Sequence, residues 1–353
     1  MKKLLVIFLF FFTNLQANNF KLEKITKELN SPWSLSFIDD KNLLITEKSG
    51  NIKLINLEEK KIKEINHNLK ILEDGQGGLL DILYKKETIY VSYSEDRLNG
   101  ESSTSVARAN FRESNLDFKN IFRAEPPINS GLHFGSRLVI KDNHLYITVG
   151  ERGLGMIAQD HTKHPGSIVR INLDGSIPNT NPKFTNKNKE EWLPELYQIG
   201  VRNPQGISLS PYDNKIYMTN HGAMGGDWFG TANIGENYGW KILGWGGINY
   251  YGTKIGPKWK PGFTKAIKYW VPSIAVSAMT IYKGETFKEW NGDALITSLR
   301  DQSLRKIKFN KMKFINEEII FKGDIGRIRD IKTHKSGDLY LLSDRGELWR
   351  MFK

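Results

Sequence analysis

One pattern constrains the fold of this chain more than any other. A strand, a polar turn, a second strand and then a third recur six times along it. The copies read SLSFIDDKNLLITEKSGNIKLI from Ser34, LLDILYKKETIYVSYSE from Leu79, RLVIKDNHLYITVGERG from Arg137 and GISLSPYDNKIYMTNHG from Gly206. The last two are AMTIYKGETFKEWNGDALITSLRDQSLRKIKF from Ala278 and DIKTHKSGDLYLLSDRGELWRM from Asp330. No long segment keeps the i, i+3, i+4, i+7 apolar spacing of a packed helix. Self-similarity at about 56 residues per copy marks a repeat architecture, in which neighbours cover the apolar face each unit exposes. Six units of four antiparallel strands close into an all-β, six-bladed β-propeller that leaves only short edges. An eight-stranded barrel fits less well, because the strands group by phrase instead of spacing evenly. The final copy ends almost at the C-terminus, so the first blade is expected to be completed by a strand from the other end of the chain. Insertions at 154–200 and 222–270 are where such a ring builds a binding face.

Residues 1–17 fall outside this pattern. Lys2 and Lys3 precede an apolar run, Leu4 to Phe12, too short for a bilayer about 30 Å thick. Leu15-Gln16-Ala17 resembles a small-residue cleavage site. The expectation is a secretory signal peptide over 1–17, an exported, periplasmic chain over 18–353 that forms one propeller domain, and no membrane span. The absence of cysteine means that the core or a ligand holds the fold, without disulfides. Lys/Glu runs at 57–64 and 184–191 read as loops. The net charge of +12, or +10 without Lys2 and Lys3, permits nucleic-acid binding. Yet the lysines scatter over turns, and no basic helix or aromatic-interleaved stripe stands out. The charge therefore reads as solvated surface, with no nucleic acid expected.

The chemistry-bearing residues gather at the ends of the phrases. Gln76 sits in Gly75-Gln76-Gly77-Gly78 before the second copy, where the glycines allow close backbone approach to a ligand. His133 precedes the third copy, and Glu151 ends that copy's second strand. A hairpin returns its far end to the level of its start, which brings Glu151 near His133, and a carboxylate-held histidine is a common general base. Arg202 and Asn203 open the fourth copy, Arg300 follows a strand of the fifth, and Arg327 and Arg329 alternate just before the sixth. In a propeller these ends converge on one mouth, and arginines that close call for a ligand with several carboxylates or phosphates. The turn from His221 to Asp227, with Gly222 and Ala223, offers carbonyls and a carboxylate of the kind that suits Ca²⁺. Aromatic and amide clusters at 237–240 and 245–251 suit sugar rings.

The phrases PWSLSF, GQGGLLDI, HFGSRLVI, VGERG, RNPQGISLSP, NYGW and RIRDI together resemble the soluble PQQ-dependent sugar dehydrogenases. The likeness is to the aldose sugar dehydrogenase branch of the glucose/sorbosone dehydrogenase family, and it runs from Pro32 to Trp349 in unbroken order. The resemblance implies a six-bladed propeller that binds pyrroloquinoline quinone (PQQ), a tricarboxylate quinone, with Ca²⁺. It implies that His133 takes the anomeric hydroxyl proton of an aldose and that Glu151 orients His133. Gln76, Arg202 and Asn203 match residues at the quinone end of the site, and Arg327 and Arg329 match those that clamp the cofactor carboxylates. Gly222 and Ala223 match the carbonyl ligands of the metal. The sequence departs from the family in carrying Arg300 for the usual Lys, Ala223 for the usual Pro, and Trp228 where relatives carry Glu for a second, structural Ca²⁺. The expected partners are an aldose substrate and an electron acceptor.

Two other readings compete. A non-catalytic propeller that binds a sugar or peptide does not need the His133, Glu151 and Arg202 trio. A metal-dependent lactonase or phosphotriesterase needs several carboxylates around one metal, whereas this chain offers mostly arginines.

Overall fold

A computed structural model describes residues 20–181, 183 and 191–353. The segment 1–17, expected to be a signal peptide, and most of the Lys/Glu run at 184–191 lie outside the described residues. Six antiparallel sheets follow one another around a ring. Their innermost strands are Pro32–Phe37, Leu79–Lys85, Gly135–Lys141, Pro204–Leu209, Val276–Ile281 and Ile328–Thr333, which open blades 1 to 6. The sequence phrases are thus the inner hairpins of the blades.

Closure differs from expectation. The N-terminal strand Lys21–Thr26 pairs with the C-terminal strand Glu347–Phe352 and completes the sixth blade, not the first. Blade 1 is made of consecutive strands and gains a fifth from Asn115–Leu116, parallel to Lys61–His67. The Lys/Glu run at 57–64 is not simply a loop, since its second half lies in the strand Lys61–His67. The fifth strand covers only Asn66 and His67, so the charged side chains of Lys61, Lys63 and Glu64 stay exposed on an otherwise open edge, where they cost little.

The core is divided as a propeller requires. Leu44 and Ile52 of blade 1 pack on Leu79 and Ile82 of blade 2, and five similar apolar clusters fill the other gaps between blades. Second strands such as Ile216–Asn220, Ala294–Ser298 and Leu339–Ser343 are buried throughout, while the outermost Lys313–Lys322 is largely exposed. Blades touch over their inner halves and splay outward, so burial falls along each sheet.

Every innermost strand carries a register shift near its start, between Pro32 and Ser34, Leu79 and Ile82, Gly135 and Leu138, Pro204 and Gly206, Val276 and Met279, and Ile328 and Asp330. A bulge leaves a backbone N–H without its ladder partner and re-aims the residues before it. Here Ser and Thr hydroxyls take up those groups. Thr46, Ser92, Thr148 and Thr297 accept the N–H of Ser34, Asp81, Arg137 and Ala278 at 2.9–3.2 Å. The same Thr46, Ser92 and Thr148 hydroxyls donate to carbonyls of the next blade, at Leu80, Ser136 and Pro204. In blades 1 to 3 one hydroxyl therefore both caps a bulge and ties neighbours together.

Beneath the bulges the channel is filled by Arg137. Its guanidinium donates to Asp330 Oδ1 at 2.9 Å, Asp81 Oδ1 at 3.2 Å, the Gln205 carbonyl at 2.8 Å and the Arg329 carbonyl at 2.9 Å. It stacks 4.1 Å from the Trp33 ring centroid. These contacts join five of the six blades and form a floor. Among the described residues no helix is long and apolar enough to cross a membrane.

Candidate active site

The bulged strand starts open on one mouth, where a cavity of about 370 Å³ lies above the Arg137 floor. Gln76, His133, Arg202, Asn203, Arg327 and Arg329, picked out from four separate stretches of sequence, all line it. Trp33, Lys48, His221 and Tyr250 line it too. Lys48 had no signal in its local sequence, because it sits one residue past a strand in a run of ordinary turn residues. Arg300 is exposed and lies outside the lining, which its neighbour Leu299 joins.

Glu151 stands behind the wall, 2% exposed, and its Oε1 lies 2.6 Å from His133 Nδ1. Its second oxygen accepts the Gly155 N–H at the start of a short 3-10 turn. Burial alone would raise the Glu151 pKa, but the bonds from His133 and Gly155 hold it below the usual carboxylate value. Burial also pushes the His133 pKa below the usual histidine value, with Arg202 adding to the lowering and Glu151 opposing it. Near neutral pH the pair is therefore an ionised carboxylate and a neutral imidazole. Nδ1–H is donated to Glu151, which leaves Nε2 as the basic atom of a ring that lines the cavity.

His133 is held in a backbone conformation with φ of 50°, sparsely populated by residues with a side chain. Its N–H donates to Gln76 Oε1 at 3.0 Å. From behind, the buried Arg152 guanidinium grips the carbonyls of Leu132, Ser102 and Ser130 and lies 3.7 Å from the Phe134 ring centroid. Burial lowers the Arg152 pKa to about 10. The loop that carries His133 is thus pinned from both sides.

Asn220 Oδ1 accepts the N–H groups of both Arg202 and Asn203 at 2.9 Å, fixing the turn that opens blade 4. Asn203 Oδ1 in turn accepts the Gly135 N–H at 3.0 Å. On the far wall Arg327 and Arg329 share Asp344, with Arg329 bonded through two nitrogens at 3.0 and 3.1 Å. Burial would raise the Asp344 pKa, but the two guanidinium groups hold it below the usual value. The lining itself contains no carboxylate, while Lys48, Arg202, Arg327 and Arg329 face it. Asp344 is shared by the two arginines and Glu73 lies 3.9 Å from Lys48, so four cations meet two acids outside the lining, an excess that fits a planar polycarboxylate such as PQQ.

The turn after His221 is less open than its sequence suggests. The Gly222 carbonyl accepts Arg202 Nη1 at 2.6 Å and faces His221 Nδ1 at 2.9 Å. Backbone carbonyls at Gly222 and Ala223 are donors of the kind calcium takes, and the charge to balance the ion must come from the anionic ligand. Among the described residues no three of His, Cys, Asp or Glu cluster to hold a metal.

Asp227 is committed elsewhere. It accepts the Gly222 N–H at 2.7 Å, the Ser273 hydroxyl at 2.8 Å and the Ala275 N–H at 2.8 Å. The next residue, Trp228, stacks on buried Tyr238 with centroids 3.9 Å apart. The position where the family resemblance implies a Glu for a second, structural metal thus holds an aromatic side chain packed against another. Chelation with EDTA is therefore expected to leave the melting temperature of the cofactor-free protein unchanged. A fall of several degrees by scanning calorimetry would contradict this account.

Residues 29–350 match the family model described as Glucose / Sorbosone dehydrogenase. The chain is 33% identical over 346 residues to the Escherichia coli (strain K12) protein named Aldose sugar dehydrogenase YliI, covering 94% of this chain and 92% of that one. It superposes with a TM-score of 0.88 on the crystal structure of the soluble aldose sugar dehydrogenase of Escherichia coli in the apo-form, at 32% identity, covering 94% of this chain and 99% of that one. The PQQ-bound form of an aldose sugar dehydrogenase from Streptomyces coelicolor shares the fold, with a TM-score of 0.77 at 19% identity, covering 95% and 99% of the two chains. A family match across the whole ring, together with relatives of this closeness, places the chain: it belongs to the glucose/sorbosone dehydrogenase family of sugar-oxidising enzymes.

Proposed function

We propose that this protein oxidises aldose sugars to lactones with PQQ as oxidant and His133 as general base. The observation that carries this reading is the neutral His133, held by ionised Glu151, in the wall of a cavity whose charged lining is wholly cationic. PQQ, when bound, would supply the two-electron oxidant for C1 of the sugar, and calcium would add Lewis-acid polarisation. The chain's own residues do the rest. His133 Nε2 takes the proton of the anomeric hydroxyl, and Glu151 stabilises the imidazolium that results. Arg202 faces the charge that develops at the reacting end, with Asn203 and Gln76 fixing its surroundings. Arg327 and Arg329 bind the cofactor carboxylates, and Gly222 and Ala223 would hold calcium through their carbonyls. Arg300, at the rim, adds positive charge to the approach.

The leader over 1–17 sends the chain to the periplasm, where a separate electron acceptor reoxidises it. A lactonase-type metal site is disfavoured by the lack of any carboxylate in the cavity lining.

Reconstitution tests the reading. With PQQ and Ca²⁺ the protein is expected to reduce an artificial dye when given aldoses, and dye reduction by no member of an aldose panel would overturn it. Arg329→Gln is expected to weaken PQQ binding about 10- to 100-fold, the worth of a lost charge-assisted hydrogen bond. Titration of cofactor fluorescence or absorbance would show it, and an unchanged Kd would remove Arg329 from the clamp.

A further inference from the structure

A second site lies on the outer side of blades 4 and 5. From Asn237 to Gly284 the chain carries seven lysines and no Asp or Glu, although the whole protein has 39 acidic residues. Within that span Lys258-Trp259-Lys260-Pro261-Gly262-Phe263-Thr264-Lys265-Ala266-Ile267-Lys268-Tyr269-Trp270 interleaves lysines with aromatics. This corrects the view that the sequence holds no such stripe and that its charge is only scattered surface.

The fold gathers the stripe into a groove of about 690 Å³ that shares no lining residue with the catalytic cavity. Trp259 comes from the long insertion, Tyr269 from the outermost strand Lys268–Trp270 of blade 4, and Phe314 from the outermost strand Lys313–Lys322 of blade 5. All three rings stay 38–39% exposed. The lining contains no acid. Lys268 is paired with Glu317 at 3.0 Å, but Lys258 and Lys265 of the lining have no ion-pair partner among the described residues. Lys265 Nζ lies 5.6 Å from the Trp259 ring centroid and Lys268 Nζ 4.5 Å from that of Phe314, so rings and charges face the same space.

Exposed rings offer flat faces for pyranose stacking, and unpaired ammonium groups between them want anions spaced along a chain. We propose that this groove binds an acidic polysaccharide, one built of uronic-acid units whose carboxylates meet the lysines while their rings stack on Trp259, Tyr269 and Phe314. The redox reading of the central cavity is not needed for this proposal.

Binding of oligogalacturonate to the full chain, measured by calorimetry at low salt, tests it. Galacturonate oligomers are expected to bind, and a neutral glucan of equal length is not. Trp259→Ala should weaken binding roughly threefold to tenfold, the worth of one aromatic face. Lys258→Gln with Lys265→Gln should weaken it further and flatten its dependence on salt. The lysine variants should not move the melting temperature, and Trp259→Phe, which keeps a ring but gives up the indole bond to the Phe263 carbonyl, separates stacking from any loss of local structure in Trp259→Ala. Three results would overturn the proposal: no binding of galacturonate, binding that none of the variants weakens, or tighter binding of single-stranded oligothymidylate than of galacturonate. The second would reduce the effect to net charge, and the third would assign the groove to nucleic acid.

Discussion

His133→Ala is expected to lower kcat by about 10²- to 10⁴-fold, the usual contribution of a positioned base, while PQQ still binds. Binding should survive because Arg327 and Arg329, which line the same cavity, are the residues proposed to meet the cofactor's carboxylates. Glu151→Gln separates the two jobs of the pair. The wild-type His133 pKa already lies below the usual histidine value, because burial outweighs the upward pull of Glu151. The base acts only when unprotonated, so kcat/KM falls as pH drops through that value. Removing the carboxylate's charge lowers the pKa further and shifts the acid limb to lower pH. It also lowers kcat, because the imidazolium formed in the reaction loses its counter-ion. A pH profile of kcat/KM with dye as acceptor checks both effects. Full turnover per bound cofactor in His133→Ala, or an acid limb that moves upward in Glu151→Gln, would contradict the assignment.

Much of this was legible because propeller blades are local. Each phrase is one hairpin, and turn chemistry with alternating apolar residues identifies a hairpin within about twenty residues. Six such phrases fix the ring, and the ring places Gln76, His133, Arg202 and Arg327 at one mouth without any further information. Glu151 followed from the same hairpin as His133. What escaped was contact between distant stretches. The closing strand belongs to blade 6 because Lys21–Thr26 fits the edge left by Glu347–Phe352, and nothing near either end announces that pairing. The Gly222 carbonyl seemed open, but Arg202 reaches it from the start of the blade. The hydroxyls that cap the bulges were present in the phrases as LLITE, YVSYS, YITVG and LITS, always near the end of the second strand. They looked like ordinary strand residues because the bulge that gives them work appears only once the strands are paired. The basic, aromatic stripe from Lys258 to Trp270 was missed for the opposite reason. It lies inside an insertion that the repeat pattern does not organise.

Arg137 shows how far a residue read only as the start of a strand can matter. Arg137→Met is expected to destabilise the fold by about 3–5 kcal/mol, the range for removing one member of a buried ionic network. The carboxylates of Asp81 and Asp330 are 1% and 0% exposed. Without the guanidinium, Asp81 keeps the Leu138 N–H, Asp330 keeps the Leu35 N–H and Lys332 at 3.7 Å, the single Ser34 hydroxyl proton serves one acid or the other, and the two buried carboxylates face each other. The carbonyls of Gln205 and Arg329 also lose their donor, and Trp33 loses the cation beneath its ring. Urea unfolding followed by fluorescence should show the loss as a lower midpoint with an unchanged slope. Adding Asp81→Asn and Asp330→Asn to Arg137→Met separates charge from packing. If unpaired carboxylates cause the defect, the triple variant recovers a large part of the stability, because neutral amides can be buried with the same backbone partners. If the triple variant is weaker than Arg137→Met alone, the acids are not repelling and the guanidinium acts chiefly through the carbonyls it holds. The cavity floor provides an independent reading. Gln205, Arg329 and Trp33 belong both to the Arg137 contacts and to the cavity lining, so loosening the floor should weaken PQQ binding in step with stability. Arg137 would then be a positioning residue that couples the closed ring to the cofactor clamp.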